Sequence, residues 1–128
     1  MTEVLIKAVT PFAEYDGLIY SYKVTCILNN GRELIFIDEK PFDLTESVDK
    51  KVVVTLATSF ISENKEYSDL FEGEIKYSDL TNEYSFVSEY VTISISNEIV
   101  KFLNIKLNEK KEYCFEDFVL MNITESTI

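Results

Sequence analysis

The chain has 128 residues, 46% of them hydrophobic and 13% aromatic, which is enough to build one core without disulfide bonds or a bound metal. It carries 23 acidic and 12 basic residues and no histidine, for a net charge of −11. We therefore expect a single domain spanning residues 1–128. The charge disfavours nucleic acid and anionic membranes as partners, since both are bound by clustered Lys and Arg.

No apolar run approaches the roughly 20 residues that cross a bilayer, and the first residues lack the basic start and unbroken apolar stretch of a signal peptide. We therefore expect a cytoplasmic protein. Cys26 and Cys114 each fall within an apolar strand pattern, which predicts two buried thiols. A disulfide between them is the alternative, and it would require an oxidising compartment.

The N-terminal third of the chain is predicted to form three strands. In the first, alternation places on one face Val4, Ile6, Ala8, Thr10 and Phe12. A turn at Glu14–Gly17 leads to the second strand, Leu18–Leu28. The sequence Asn29-Asn30-Gly31 tolerates the positive φ angles of a tight hairpin and precedes a third strand, Arg32–Asp38.

The middle of the chain is predicted to begin with a polar connection over residues 39–51, which has room for one short helical turn near Asp43. A fourth strand, Val52–Ile61, is rich in β-branched residues. The polar segment Ser62–Leu70 is predicted to be a loop or a short helix. It precedes a fifth strand, Phe71–Tyr77.

The fifth predicted strand alternates without interruption. Its inward residues are Phe71, Gly73, Ile75 and Tyr77, and its outward residues are Glu72, Glu74 and Lys76.

Three further strands are predicted in the last third of the chain. Two of them, Tyr84–Ile95 and Glu98–Leu107, are joined by a hairpin turn at Ser96-Asn97. The last strand covers Tyr113–Ile123. Within it, Glu116-Asp117 interrupts the apolar phase, which indicates either a bulge or a strand end at the rim.

About eight strands with short turns, and at most a short helix, predict an all-β fold. A small antiparallel barrel is favoured because closure removes unpaired sheet edges, and a two-sheet sandwich is the alternative. The strand spacing of the first 77 residues resembles that of the oligonucleotide/oligosaccharide-binding (OB) barrel. This resemblance implies an OB-like or related barrel, and no functional residue is carried over from it.

Catalytic options are few. Without histidine the chain cannot form a Ser-His-Asp or Cys-His pair, and its isolated glycines form no phosphate-binding loop. Glu72 and Glu74, two positions apart on a strand, would lie roughly 7 Å from each other, a separation that glycosidases use. Acids at Asp38, Glu39 and Asp43 lack the spacing of a calcium loop. We predict no enzyme activity, no cofactor and no metal site.

Acidic residues are concentrated between Ser62 and Tyr90, where eight acids and two bases give a net charge of −6, more than half of the total. The same segment is rich in tyrosine and phenylalanine, so its surface combines negative charge with rigid apolar area. The residues predicted to bind a protein are Glu66, Tyr67, Asp69, Glu72, Glu74, Asp79, Glu83 and Tyr84.

These features predict a small acidic, non-catalytic protein that docks a partner with a basic surface, in an inhibitory, immunity-type or charge-mimic role. The alternative is an OB-like module that binds a sugar, a peptide or a small molecule. A third hypothesis is a carboxylate enzyme centred on Glu72 and Glu74, which would require both side chains to line a pocket. An acidic surface that is only solvated is also compatible with the sequence.

Overall fold

The computed structural model describes residues 2–58, 61–62 and 69–125, apart from the side chains of residues 62, 69 and 125. Its strands are β1 (Thr2–Tyr15), β2 (Leu18–Leu28), β3 (Glu33–Asp38), β4 (Lys51–Ala57), β5 (Ile61–Ser62), β6 (Asp69–Ser78), β7 (Glu83–Val87), β8 (Thr92–Ile95), β9 (Lys111–Phe115) and β10 (Val119–Glu125). The helices are a 3-10 turn (Thr45–Ser47) and α1 (Asn97–Leu103). About 60% of the described residues lie in strands, so the predicted all-β class is confirmed.

Five of the strands close into a barrel in the order β1-β2-β3-β10-β4, with β4 pairing back onto β1. The pairs are antiparallel except for β3 with β10, which run parallel. Alternate residues of these strands point inward and are fully buried, as at Val24, Phe36, Val54 and Leu120. The predicted barrel is therefore confirmed, although the closed barrel has five strands where about eight were predicted, and one of its pairs is parallel.

The fifth barrel strand lies outside the part of the chain whose strand spacing resembles the OB barrel. That resemblance covered the first 77 residues, whereas the closing strand is β10, at Val119–Glu125. Strands β5 to β9 and helix α1 are inserted between the fourth and fifth barrel strands. Alternation identifies a strand, but it does not identify the strand's partner, because every half-buried strand shows the same period.

The inserted strands extend the barrel sheet and cover it. β8 pairs in parallel with β4, followed by β7 and β6, and the first half of β6 then pairs with β9. Between these layers lies a buried aromatic cluster whose rings meet mostly edge to face, with centroids 5.0–6.1 Å apart. Its members are Phe71, Phe86, Tyr113, Phe115 and Phe118. Edge-to-face pairs add stabilisation beyond the area they bury.

The first two hairpins follow from their turn residues. Asp16 and Gly17 both have positive φ, 52° and 77°, as a two-residue hairpin turn requires. At the second hairpin, Gly31 has a φ of 86° and donates its N–H to the carbonyl of Leu28, while the Asn30 side chain accepts from Arg32 N–H. The predicted hairpin at Asn29-Asn30-Gly31 is confirmed.

The strand predicted over Glu98–Leu107 is wrong, because residues 97–103 form helix α1. Ser96, predicted as a hairpin turn residue, is instead the helix N-cap, and its hydroxyl accepts from Glu98 N–H at 3.2 Å. Asn104 ends the helix in the left-handed conformation, with a φ of 51°. A short apolar run fits the period of a helix as well as that of a strand, so the two capping residues were the better indication of a helix.

Two other predicted strands are each divided in two. Tyr84–Ile95 is broken at Ser88–Val91, where Ser88 N–H donates to the carbonyl of Val91 and the Ser88 hydroxyl accepts from Val91 N–H. Tyr113–Ile123 separates into β9 and β10 at Glu116-Asp117, so the predicted strand end is confirmed there. Because β9 pairs with β5 and β6 while β10 pairs with β3 and β4, the break moves the chain between sheets.

Strand β4 ends at Ala57, before the predicted Ile61, which belongs to β5. Most of the segment predicted as a loop or helix over Ser62–Leu70 lies outside the described residues, and its last two residues begin β6. Both Cys26 and Cys114 are buried free thiols, as predicted. None of the helices in the described residues has the length and apolar character needed to cross a membrane.

The predicted connection over residues 39–51 is organised by a buried carboxylate. Asp38, at the end of β3, is fully buried and accepts hydrogen bonds from Phe42 N–H at 2.8 and 3.0 Å and from Asp43 N–H at 3.1 Å. The short helical turn predicted near Asp43 is the 3-10 turn that begins at Thr45. The oxygens of Asp38 therefore hold a loop, which is a structural role.

Candidate functional site

Strand β6 sets the two central carboxylates of the predicted site. Glu72 and Glu74 flank Gly73, which faces the core, so both side chains point to the outer face of the sheet, as predicted. A Cβ on Gly73 would lie 2.5 Å from the carbonyl oxygen of Val87 and 2.7 Å from a ring carbon of Phe86. Glycine is therefore required between the two glutamates, because only a bare Cα fits beneath β7.

Each of these carboxylates lies beside a lysine. Glu72 Oε1 is 3.2 Å from Lys110 Nζ, and Glu74 Oε2 is 3.6 Å from Lys76 Nζ. The side chains of Glu72 and Glu74 are 59% and 35% exposed. Exposed pairs of this kind contribute little stability, but each lysine cancels most of the local negative charge. The middle of the β6 outer face is therefore less acidic than the sequence suggests.

A shallow groove of about 450 Å³ runs beside this face. It is lined by charged and polar side chains that include Glu72, Glu74, Glu89, Lys76 and Lys110. Small-molecule sites are mostly apolar with a few polar groups, so this lining does not favour such a ligand. Both glutamates line the groove, as the carboxylate-enzyme hypothesis required, with side chains that are 59% and 35% exposed.

Arg32, the single arginine of the chain, closes one side of the groove. Its guanidinium donates to the carbonyl of Leu70 and lies over the ring of Phe71, 3.7 Å from the centroid. A cation held against an aromatic face and a carbonyl ties the β2–β3 turn to the start of β6. Arg32 therefore joins the barrel to the inserted strands.

The remaining acidic residues of the predicted site lie around the turn between β6 and β7, residues 79–83, which we call the acidic turn. Asp79 and Glu83 are exposed on either side of Leu80, whose side chain is 99% exposed. Among the described residues, neither carboxylate has a basic partner within salt-bridge distance. The acidic turn therefore keeps its full negative charge around an apolar apex.

Hydrogen bonds from three directions hold the acidic turn. Asn82 has a positive φ of 60°, and its N–H donates to the carbonyl of Ser78 at 2.8 Å. The hydroxyl of Tyr77 donates to the side chain of Asn82, and the side-chain amide of Asn97, at the start of α1, donates to the Asn82 carbonyl at 3.4 Å. Leu80 is thus presented by a fixed turn.

Two tyrosines lie at the base of the acidic turn. Tyr77 pairs with Tyr84 across β6 and β7, and their ring centroids are 4.8 Å apart. Tyr77 was predicted to be an inward core residue, but it is exposed, because the inner face of β6 extends past the end of the core after Ile75. Tyr84, predicted as part of the protein-binding site, is half-buried beneath it.

The structure thus divides the predicted site. Asp79, Glu83 and Tyr84 lie together at the acidic turn, whereas Glu74 is five residues away along β6, roughly 17 Å, and Glu72 is farther. Glu66 and Tyr67 lie outside the described residues, as does the side chain of Asp69, whose backbone begins β6.

Sequence reasoning missed a second surface, the distal part of the hairpin formed by β1 and β2. Phe12 was predicted to share a face of the first strand with Val4 and Ile6, which are buried, but every residue from Thr10 to Leu18 is exposed. The large apolar side chains there are 51–70% exposed, namely Phe12, Tyr15, Leu18 and Tyr20. The length of the first two strands could have indicated this surface, because strands of 14 and 11 residues cannot be covered by a third strand of six residues.

Comparison of the chain with protein-family models, with curated proteins and with solved structures gives no match.

Proposed function

We propose that this chain is a non-catalytic protein that binds a basic surface of another protein through the acidic turn. The observation that carries the proposal is the fully exposed Leu80 between Asp79 and Glu83, whose charges are not neutralised by a neighbouring lysine among the described residues. An apolar residue surrounded by charge of one sign gives both contact area and a long-range field that selects a partner of the opposite sign.

The rigidity of the acidic turn supports this proposal. Binding is weakened by the cost of ordering loops and side chains, and a turn that is already held by Tyr77, Asn82 and Asn97 avoids much of that cost. The Tyr77–Tyr84 pair adds aromatic area next to the turn, and tyrosine is enriched at protein interfaces.

The overall charge of the chain also supports a basic protein as the partner. A net charge of −11 attracts basic proteins and raises their association rate at low ionic strength. Such a protein fits an inhibitory, immunity-type or charge-mimic role, and its two buried free thiols fit the reducing cytoplasm.

The test uses immobilised protein and lysate from the source organism, with retained proteins eluted by rising salt and identified. Three baits are compared: the wild type, Asp79→Lys with Glu83→Lys, and Glu72→Lys with Glu74→Lys. The two variants change net charge equally, so the second controls for bulk attraction. The affinity of a retained basic protein is then measured for each bait by calorimetry.

We expect the acidic-turn variant to lose the partner and Leu80→Ser to weaken it, since truncating a central apolar contact costs about 1–2 kcal/mol, or roughly 5- to 30-fold in affinity. The Glu72/Glu74 variant should keep most of the affinity. Loss of affinity in that variant alone would move the site to the middle of β6. Equal weakening in both variants, with no effect of Leu80→Ser, would reduce the interaction to non-specific charge attraction and overturn the proposal.

A further inference from the structure

The β1–β2 hairpin continues past its neighbouring strands, and we call residues 7–23 the arm. At its base Val9 and Tyr22 pack against the core, and beyond them the arm has little support from the rest of the protein. β4 pairs with β1 only over Thr2–Leu5, and β3 pairs with β2 only over Tyr22–Ile27. The strands of the arm therefore pair mainly with each other. A two-stranded ribbon with exposed apolar side chains is only marginally stable in water, so a partner surface would stabilise it.

Two of the exposed aromatic residues occupy bulge positions. Pro11 pairs with Tyr22 and Ala13 with Ser21, so Phe12 is an extra residue of β1. The next pair is Glu14 with Ile19, so Tyr20 is an extra residue of β2. Bulges interrupt the ladder and redirect side chains, and Pro11 has no N–H to offer along the edge. Addition of another strand to this arm is therefore disfavoured, and a partner would pack against its side chains.

The charges of the arm are separated along its length. Lys7 and Lys23 lie at its base, next to the barrel, whereas Glu14 and Asp16 lie at its tip, and all four side chains are exposed. The arm has no net charge, so the −11 of the chain resides entirely outside it. A uniformly basic partner would gain nothing here. An arm that is positive at its base and negative at its tip is complementary in charge to a second copy of itself that runs in the opposite direction.

We propose that the arm is a homodimer interface, in which the arms of two copies pack antiparallel about a twofold axis. Asp16 of each copy then faces Lys7 of the other, and Glu14 of each copy faces Lys23 of the other. Burying all of the exposed area of the four large apolar side chains in both copies would remove at most about 1,000 Å² from water, near the lower limit for a specific interface. The expected dimer therefore dissociates in the micromolar range.

This arrangement fixes which residues meet at the twofold axis. Antiparallel arms that match Asp16 with Lys7 place the centre of β1 against itself, so Phe12 lies beside the partner's Phe12. Leu18, at the tip, then lies near the base of the other arm and far from the partner's Leu18. The acidic turn is on a different hairpin, so the dimer does not depend on the proposed function.

The first experiment measures self-association by sedimentation velocity from about 1 to 200 µM protein, a range that brackets micromolar affinity. The wild type is compared with Phe12→Ser, Tyr15→Ser and Leu18→Ser combined, and with a matched control of Leu80→Ser and Phe102→Ser, which removes exposed apolar residues elsewhere. We expect the arm variant to be monomeric and the control to dimerise as the wild type does. A wild type that stays monomeric throughout, or an arm variant that still dimerises, overturns the proposal.

The second experiment tests the antiparallel orientation by charge exchange. One variant carries Glu14→Lys and Asp16→Asn, where asparagine is chosen because residue 16 has positive φ, and the other carries Lys7→Glu and Lys23→Glu. Each variant alone should associate at least about tenfold more weakly than the wild type, because each places like charges at the contact between positions 14 and 23. Combining all the changes in one chain restores opposite charges at that contact and should recover part of the dimerisation, and a combined variant no stronger than the single variants contradicts the orientation.

Cross-linking gives an independent check of the axis. Phe12→Cys should form an interchain disulfide under mild oxidation, whereas Leu18→Cys should not, and the native thiols are buried. Cross-linking at position 18 but not at position 12 would overturn the antiparallel arrangement.

Discussion

Gly73 lies directly beneath Phe86, and a Cβ at position 73 would come within 2.7 Å of the Phe86 ring and 2.5 Å of the Val87 carbonyl oxygen. Gly73→Ala should therefore force β6 away from β7 and lower the free energy of unfolding by about 2–3 kcal/mol. Urea unfolding measures the change, with Glu72→Ala on the same strand as a control. Stability equal to that of the control would contradict this packing. Adding Phe86→Leu to Gly73→Ala should not restore wild-type stability, since the Val87 carbonyl oxygen remains in place.

Removing the Asp38 carboxylate should destabilise the loop after β3. Asp38→Ala leaves the N–H groups of Phe42 and Asp43 without their acceptor, which should lower the free energy of unfolding by about 2–3 kcal/mol. Asp38→Asn keeps one acceptor and should cost less. The neighbouring exposed Glu39→Ala is the control, measured by the same denaturation. Unchanged stability in Asp38→Ala would show that these hydrogen bonds contribute nothing.

Cys26 should make stability depend on pH in the alkaline range. Burial, and secondarily the charge of Glu33, raises the pKa of the Cys26 thiol from 9.0 to about 12. Between these two pKa values the folded state retains a proton that the unfolded chain releases. The contribution of the neutral thiol to the free energy of unfolding is therefore complete below pH 9 and is lost between about pH 9 and 12, at up to about 1.4 kcal/mol per pH unit. Unfolding of the wild type and of Cys26→Ala should be followed across this range. Parallel pH profiles would contradict the prediction.

Asp43, which is exposed, should make stability depend on pH in the acidic range. The Thr45 hydroxyl donates to Asp43 Oδ1 at 2.6 Å and the Thr45 N–H donates at 3.2 Å, and these bonds lower the pKa of Asp43 below its ordinary value of 3.8. The stabilisation is present above pH 3.8 and is lost as the pH falls through the lowered pKa. Thr45→Val should raise the pKa of Asp43 part of the way back, as measured by NMR titration of its carboxyl carbon. An unshifted titration would mean that the hydroxyl has no influence.

Ser96 should be needed for helix α1. Its hydroxyl accepts from Glu98 N–H, and replacing such a cap by alanine costs about 1 kcal/mol. Ser96→Asp should preserve stability and Ser96→Ala should reduce it, with Ser94→Ala on the adjacent strand for comparison. The same stability in all three variants would contradict the capping role.

Local features that depend on the chemistry of individual residues could be predicted from the sequence alone. Asn29-Asn30-Gly31 specified a hairpin because few residues tolerate positive φ, and the alternation around Gly73 correctly predicted that Glu72 and Glu74 point outward. The long alternating segments were sufficient for the all-β class. These features depend on contacts between near neighbours in the chain, which a pattern can encode.

Strand pairing and the exposure of the two apolar surfaces could not be predicted in this way. Val119–Glu125 inserts between β3 and β4 and so completes the barrel, and residues 97–103 form a helix because Ser96 and Asn104 cap an apolar run that fits either period. Phe12 and Tyr77 alternate as core residues do, yet both extend past the neighbouring strands and are exposed. Burial depends on the length and position of the covering elements, and these are set by contacts between residues that are distant in sequence.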